Sequence, residues 1–169
     1  MSYEVYIRPL RAEDAATSYK WRNDPEIWIY TQFNRNNEIT FEIESDWLKS
    51  KLTKEDEKRF AICFTETDQY IGNVQLLNIK NKSAEFHLFI GEKEFWGKGI
   101  GGKVTSLIIN YAFEELLLNN VCLEVNDDNL PAQAIYKKMG FLEANKKNNF
   151  IKMWLTRDRF EYLKTKVLP

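Results

Sequence analysis

Four glycines fall within six residues in the second half of the chain, in the run GKGIGG at positions 97–102. The run follows an apolar, strand-like stretch and opens into a long helical pattern. Glycines let backbone N–H groups turn toward a ligand, and a helix that begins there adds the positive end of its dipole. The pattern therefore predicts a cradle for a phosphate group, to which Lys98 and Lys103 would add positive charge.

Two nucleotide-binding patterns match this run only in part. The letters GKGIGGK resemble the start of a P-loop, but Val104 stands where a Ser or Thr hydroxyl would bind Mg²⁺. The spacing G-x-G-x-x-G also fits a dinucleotide-binding loop, with Glu124 where a ribose-binding acid would lie. That loop belongs after the first strand of a domain, however, whereas fewer than 70 residues follow position 102 here. An ATP or NAD site is therefore disfavoured.

A third class of ligand is the pyrophosphate of an acyl-coenzyme A. The run FWGKGIG at 95–101 resembles the acetyl-CoA loop of the GNAT N-acetyltransferase superfamily, whose pattern is Gln or Arg, two residues, Gly, one residue, then Gly or Ala. Gly99 and Gly101 match this pattern, whereas Trp96 replaces the polar first residue and removes one expected side-chain contact. Branches that acetylate ribosomal-protein or other protein N-termini, or small amines such as amino sugars, carry a similar run.

A second stretch strengthens the resemblance. The spacing N-x-x-A-x-x-x-Y-x-x-M-G-F at 129–141 is similar to the other coenzyme-side signature of the family. Two motifs at the right separation are more specific than either alone, and together they cover roughly the last half of the chain. The first half resembles the family only in its order of elements.

The resemblance implies a fold, a cosubstrate and a set of contacts. The fold would be α+β, the GNAT fold, with a central, mostly antiparallel twisted sheet whose splayed middle strands are flanked by helices. Acetyl-CoA would be the cosubstrate, without a metal, and its pantetheine arm would enter between strands 84–90 and 121–125. Coenzyme contacts are expected from Leu88, Phe89, Ile90, Gly97, Lys98, Gly99, Ile100, Gly101, Gly102, Lys103, Asn129 and Tyr136.

Acetyl transfer to an amine needs a base for the amine proton and often an acid for the departing thiolate. Glu85 is the first candidate base, because it lies in the strand expected to border the thioester and resembles a glutamate of some branches. His87, the one histidine of the chain, is the second. An unbroken strand would place both on one face, although a bulge would change that parity. The resemblance places Tyr136 near the coenzyme sulfur, as the acid.

Each of these residues also has a structural explanation. A lone Glu or His on a strand is usually a surface residue. Tyr136 fits the packed face of an amphipathic helix, and Asn129, two residues before Pro131, is a common helix-entry residue. The alternative for the glycine run is a flexible turn that binds nothing.

The acceptor is expected to contact the first helices and their connection. The residues proposed for this contact are Trp21, Arg22, Asn23, Trp28 and Tyr30, and Phe33 lies in the same connection. The letters WRN at 21–23 resemble a stretch of amino-sugar-nucleotide N-acetyltransferases of surface-glycan pathways, although core packing would also explain many of these aromatic residues.

The predicted function is acetyl transfer from acetyl-CoA to a primary amine by direct attack. The acceptor would be a small molecule such as an amino-sugar nucleotide. A protein N-terminal or aminoglycoside acetyltransferase, or a non-catalytic CoA-binding module, are the alternatives. An acidic acceptor cleft would favour aminoglycosides, and Arg22 facing the cleft would favour a nucleotide-linked sugar.

The whole chain bounds these predictions. Its 169 residues are expected to form one domain, and a net charge of −1 without long blocks of like charge gives no footprint for nucleic acid or membrane. Neither a signal peptide nor a spanning stretch is recognised, so a cytoplasmic location is expected. Cys63 and Cys122 are expected to be buried thiols. The oligomeric state stays open, with a homodimer among the possibilities.

Hydrophobic periodicity predicts the elements that would position this site. Strands are predicted over 3–10, 59–65, 70–79, 84–90 and 121–125, with a final pair around 146–149. Helices are predicted over 11–21, 40–52, 100–118 and 157–164, and from Pro131 to Gly140. Thr40 is expected to cap the second helix, whose buried stripe would comprise Phe41, Ile43, Trp47 and Leu48.

Overall fold

The computed structural model describes residues 3–34 and 36–167. Its strands are β1 (Val5–Pro9), β2 (Lys58–Phe64), β3 (Gln69–Lys80), β4 (Ser83–Ile90), β5 (Asn120–Asn126), β6 (Leu142–Lys147) and β7 (Phe150–Thr156). Its α-helices are α1 (Ala15–Arg22), α2 (Phe41–Leu52), α3 (Ile100–Asn110), α4 (Leu130–Lys138) and α5 (Arg157–Val167). Short 3-10 turns lie at Ala12–Asp14, Pro25–Trp28 and Lys93–Phe95, and a π-helical turn at Tyr111–Glu115.

The strands form one mixed sheet in the order β1-β2-β3-β4-β5-β7-β6. All neighbours are antiparallel except β4 and β5, which run parallel and pair only from Ser83 with Asn120 to Glu85 with Cys122. Beyond that point β4 continues to Ile90 beside β3 alone. The middle strands therefore diverge into an opening within the sheet, and the predicted GNAT fold with splayed strands is confirmed.

The two faces of the sheet bury different clusters, because alternate residues of a strand point to opposite sides. On one face, α3 and α4 cover the larger cluster, which includes Ile62, Phe86 and Val104. On the other face, α1 and α2 cover a smaller cluster that includes Ala61 and Cys63. The parallel crossover from β4 through α3 to β5 thus places the start of α3 beside the end of β4.

The packing of α2 corrects one prediction. Thr40 caps the helix as expected, since its Oγ1 accepts from the N–H of Ile43 at 3.3 Å. The predicted stripe is wrong in its first half: Phe41 and Ile43 are 43% and 51% exposed, whereas Leu48 is fully buried. The reason is that α2 turns Glu44 inward, where its Oε1 accepts from the hydroxyl of Ser18 at 2.7 Å.

The helix predicted over 100–118 is also interrupted. Its α-helical part ends at Asn110, and a π-helical turn follows, in which the N–H of Leu116 donates to the carbonyl of Tyr111. The Arg157 guanidinium donates to the carbonyls of Phe113 at 2.8 Å and Leu118 at 2.6 Å. A side chain from α5 thus satisfies carbonyl groups that the end of a helix leaves without partners.

Most remaining boundaries agree with the predicted ones within a few residues. The stretch predicted as helix over 11–21 is a 3-10 turn followed by α1. Cys63 and Cys122 are free and buried, as predicted. In residues 3–34 and 36–167, no helix is long and apolar enough to cross a membrane.

Candidate active site

The glycine run forms the connection into α3. Gly97 and Gly99 have φ angles of +70° and +76°, in the left-handed region that side chains other than glycine rarely adopt. Nothing lies within 4 Å of a Cβ built on either residue, so the backbone conformation, not crowding, requires glycine. Because α3 begins at Ile100, the first N–H groups of the helix have no partner within it. Gly99 and Gly102 line an open groove. This arrangement can hold an anion.

A groove of about 740 Å³ runs beside this loop, between the first turns of α3 and the end of α4. Its lining includes Gly99, Gly102, Leu107, Ile135 and Met139, as well as Lys103 and Lys138. Apolar side chains thus form much of its length, and two lysines supply cationic groups. A groove of this character suits a long, flexible ligand with an anionic end.

The two lysines predicted to contact phosphate have protein partners. The ammonium of Lys103 bonds the Glu4 carboxylate at 2.6 Å and the carbonyl of Tyr3 at 3.0 Å. The ammonium of Lys98 lies 5.4 Å from the centre of the Tyr3 ring. Tyr3 and Glu4, the residues just before β1, therefore hold both side chains beside the loop.

Trp96, which departs from the family pattern, stabilises the loop. Its indole N–H donates to the carbonyl of Ile90 at 2.9 Å, so it ties the loop back to the last residue of β4. A contact to the ligand is thus replaced by a contact within the protein.

Glu85 and His87 lie on one face of β4, as an unbroken strand requires. Their side chains are 48% and 49% exposed, and the Glu85 carboxylate lies 3.7 Å from Nε2 of His87. Ala84 and Phe86 point to the opposite, buried face. Glu85 is the last residue of β4 that pairs with β5, so the two polar side chains stand where the sheet opens.

Partial burial lowers the pKa of His87 below its ordinary value, although the Glu85 carboxylate acts in the opposite direction. The imidazole is therefore neutral near pH 7 and able to accept a proton. Arg59 and Glu124 also act on this pKa, the first lowering it and the second raising it. Sequence reasoning did not assign either residue to the site.

A polar network supports the same face. Arg59 donates to the amide oxygen of Gln75 at 2.6 Å and is paired with Glu57 at 2.7 Å. Gln75 is the residue of β3 that pairs with His87. Gln75 can be placed on the same face as His87 only once the register between β3 and β4 is known. No local pattern in the sequence could therefore have assigned Gln75 to the site.

Tyr136 lies on the other face of β4. Its ring packs edge-on against Phe86 and Phe141, with centroids 5.7 Å and 5.9 Å apart. Burial raises the pKa of its hydroxyl to about 12, so the phenol keeps its proton at neutral pH. Asn129 caps α4 by accepting from the N–H of Ala132 at 3.3 Å, the helix-entry role considered above.

Two of the proposed acceptor residues form hydrogen bonds within the protein. Trp21 is 4% exposed, and its indole N–H donates to the Glu92 carboxylate at 2.9 Å. Asn23 uses its side-chain amide to bond the carbonyls of Tyr19 and Ile39, at 2.9 Å and 2.8 Å, and its oxygen accepts from the N–H of Ile39. Both side chains therefore bond within the protein, and their contact with an acceptor stays a prediction.

The remaining proposed acceptor residues are at least partly exposed. Phe89 shares the face of Glu85 and His87, and the ring of Trp28 packs on it at 4.7 Å. The Arg22 guanidinium lies over Trp28 at 5.3 Å and donates from Nε to Glu44 at 3.3 Å. Tyr30 is 40% exposed.

Two further aromatic residues complete the surroundings of Arg22: Phe33, from the predicted acceptor connection, and Trp47, which was expected only in the buried stripe of α2. Phe33 and Trp47 contact its guanidinium at 5.3 Å and 4.4 Å. Trp47 also contacts Arg59, at 5.1 Å. Trp47 thus connects the Arg22 guanidinium with the hydrogen-bond network of Arg59. In the part of the chain that the structure describes, no three His, Cys, Asp or Glu side chains are grouped to hold a metal ion.

The chain is similar to known proteins over most of its length. The acetyltransferase (GNAT) domain family matches residues 4–142. The chain is 33% identical to the acetyltransferase PseH of Campylobacter jejuni over 141 residues, which cover 83% of this chain and 85% of that protein. It is 31% identical to the spermidine N(1)-acetyltransferase of Escherichia coli, over 83% of this chain and 74% of that protein.

The fold agrees with a solved structure as well. The spermidine N-acetyltransferase of Vibrio cholerae, solved in complex with CoA and spermine, superposes with a TM-score of 0.82 at 24% identity. The match covers 93% of this chain and 98% of that one. The chain therefore belongs to the acetyltransferase (GNAT) domain family, and the class predicted from its sequence, an N-acetyltransferase, is the class that its relatives' names carry.

Proposed function

We propose that this protein moves the acetyl group of acetyl-CoA to the primary amine of a small acceptor that carries an anionic group, such as an amino-sugar nucleotide. One observation carries the proposal: the pairing of β4 with β5 ends at Glu85, and from there β4 continues to Ile90 and leads through residues 91–96 into the glycine loop, beside which the groove lies. A ligand that lies in the groove and enters the opening brings its reactive end to Glu85 and His87.

The coenzyme has a natural path through these features. Its pyrophosphate would accept bonds from the N–H groups of the loop and of the first turn of α3. Its pantetheine arm would lie along residues 88–90 of β4, where the edge facing β5 is not paired. The backbone groups on that edge can bond an extended amide chain much as a neighbouring strand would. Asn129 is proposed to contribute at the other side of the opening.

The candidate base and acid approach the opening from opposite faces. On one face, Glu85 would accept the proton of the attacking amine, directly or through a water molecule, with His87 as the alternative base. On the other face, the neutral Tyr136 would give its proton to the thiolate that leaves when the C–S bond breaks. The proton lost by the amine and the proton gained by CoA–SH then balance.

The charge around Arg22 supports an anionic acceptor. Its Nε is paired with Glu44, whereas Nη1 and Nη2 make no hydrogen bond to the described residues. These terminal groups are the ones that bind carboxylate or phosphate in two-point fashion. Three aromatic rings fix the guanidinium in place. A polyamine that approached this side would meet a cation.

Steady-state kinetics with acetyl-CoA tests the proposal. The panel contains nucleotide-linked amino sugars, the same amino sugars without the nucleotide, and spermidine. We expect the nucleotide-linked acceptors to have the highest kcat/KM, and Arg22→Gln to lower it by about tenfold for these acceptors alone, the loss typical of a charged contact. A preference for spermidine would contradict the acceptor class.

Glu85→Gln tests the base in the same assay. A general base contributes about 100-fold or more, so kcat/KM should fall by that amount, and the acid limb of its pH profile should disappear. An unchanged rate and acid limb would exclude Glu85 as the base. Coenzyme binding without turnover of any amine would favour the non-catalytic module.

A further inference from the structure

A short connecting turn, residues 91–96, joins the end of β4 to the glycine loop. It contains the 3-10 turn Lys93–Phe95, and Phe95 is buried against Phe64 with ring centroids 5.1 Å apart. The bond from Trp96 to the carbonyl of Ile90 closes it. The turn is therefore a compact unit, and its last residue leads directly into Gly97.

The same turn holds the segment from the end of α1 to Phe33, here called the acceptor segment (residues 21–33). The ammonium of Lys93 lies 2.8 Å from the Asp24 carboxylate and 3.2 Å from that of Glu26. Glu92, the preceding residue, accepts the bond from the Trp21 indole. The adjacent side chains of Glu92 and Lys93 thus bond the acceptor segment at two places, Trp21 and the pair Asp24 and Glu26.

Close packing reinforces these bonds. A Cβ on Gly91 would lie 2.1 Å from the ring of Trp21, so that ring rests directly on the backbone of the connecting turn. The indole of Trp28 donates to the carbonyl of Trp21 at 2.7 Å, which fixes Trp28 relative to the same ring. A displacement of the turn therefore moves the aromatic groups that border the opening.

We propose that Glu92 and Lys93 are positioning residues that couple coenzyme binding to the order of the acceptor segment. The inference rests on the proposed function for one point, the binding of the coenzyme at the glycine loop. A ligand that immobilises Gly97 also restricts the turn, and the turn restricts the segment through the bonds of its two side chains. Ordering by one ligand then favours binding of the second without a change of fold.

The expected size of the effect follows from exposure. The side chains of Lys93, Asp24 and Glu26 are 43%, 28% and 67% exposed, and such exposed pairs contribute little. We therefore expect a change of at most about fivefold in an equilibrium constant. It should weaken at high salt, because exposed charges are screened.

Hydrogen–deuterium exchange with coenzyme A as the probe tests the coupling without an acceptor. The reporters are the N–H groups of Asp24, Ile27 and Thr31, which bond within the acceptor segment. In the unaltered protein, coenzyme A should slow exchange in residues 97–104 and, by about two- to fivefold, in residues 21–33. In Lys93→Ala the first effect should persist and the second should be lost.

Lys164→Ala is the matched control, because Lys164, on α5, forms an exposed ion pair with Glu114 of the π-helical turn and contacts neither the connecting turn nor the acceptor segment in the pairs that it forms. It should behave as the unaltered protein. At Glu92, Gln keeps an acceptor for the indole and should keep the coupling, whereas Ala removes the acceptor and should lose it. A melting temperature measured for each variant separates lost coupling from lost folding, and Lys93→Ala should leave it nearly unchanged.

The outcomes are distinct. If residues 97–104 are protected but residues 21–33 are not, the coupling is overturned and the coenzyme site stands. If Lys93→Ala still transmits protection, the assignment to Lys93 is wrong. If coenzyme A protects neither region, the proposed function fails at its first step and the inference fails with it.

Discussion

At the scale of single residues, the candidate site contains two ionisable groups whose surroundings shift their pKa values in different directions. His87 is half-exposed and has a lowered pKa, whereas Tyr136 is enclosed by aromatic rings and has a pKa raised to about 12. The first is ready to accept a proton at neutral pH and the second to keep one. One strand, β4, separates them, so a thioester in the opening would lie between them.

The role of Tyr136 can be tested by Tyr136→Phe. We expect kcat to fall by about 100-fold between pH 6 and 9, because the phenol is protonated throughout this range and its loss removes the acid. The dissociation constant of coenzyme A should not change, since Phe keeps the packing against Phe86 and Phe141. Tyr162→Phe, on the exposed side of α5, is the control. An unchanged kcat in Tyr136→Phe would leave the tyrosine a packing residue.

Some of these residue roles could be predicted from sequence and others could not. The common face of Glu85 and His87 followed from the period of a strand. The burial of Trp21 did not, because an aromatic residue near a site has the same local pattern whether it packs inward or faces a ligand. The bond from Arg59 to Gln75 joins residues 16 positions apart, and only the register of β2 and β3 brings them together.

At the scale of elements, α3 shows where periodicity is insufficient. Its apolar pattern continues past position 110, so a continuous helix was the natural prediction. The π-helical turn at Tyr111–Glu115 ends instead beneath Arg157, a residue from α5 that lies 39 positions beyond Leu118. A distant side chain that donates hydrogen bonds to the carbonyl groups at the end of a helix leaves no pattern in the sequence of that helix. The error in α2 has a similar cause, because Glu44 is turned inward by partners on α1.

Arg157→Ala tests this helix end. The change removes hydrogen bonds to two carbonyls, and a charged donor contributes about 1.5–3 kcal/mol to each such interaction before exposure is considered. Because the Arg157 side chain is 28% exposed, we expect the free energy of unfolding to fall by about 1–3 kcal/mol. Urea denaturation measures it.

The control for this helix end is Glu161→Ala, which removes the exposed ion-pair partner of Arg157. It should change stability by less than about 0.5 kcal/mol. Equal losses in both variants would mean that the ion pair, not the carbonyl bonds, stabilises this end of α3.

At the scale of the whole molecule, a ligand that binds only the folded protein raises its stability by RT ln(1 + [L]/Kd). At a concentration 100 times Kd, acetyl-CoA should add about 2.7 kcal/mol. For a chain of this size that is a rise of roughly 5–10 °C in melting temperature. NADH and Mg-ATP, measured in parallel, should give no rise.

A shift with NADH or Mg-ATP alone would contradict the assignment of the glycine loop.

The order of elements and the mostly antiparallel sheet were predictable from the chain, because turns and alternating residues mark them. The exact point at which β4 leaves β5 was not predictable, since three residue pairs leave no distinct pattern.

The opening between β4 and β5 has a mechanical consequence. The strands β1 to β4 form one part of the sheet and the strands β5 to β7 the other. The strand pairing that joins the two parts is confined to residues 83–85 of β4 and 120–122 of β5. A pantetheine arm lying in the gap would connect the two parts of the sheet beyond the paired residues, and it would leave with the coenzyme. The sheet would then be most rigid with its coenzyme in place. After each release of product, only the short pairing of β4 with β5 would join its two parts.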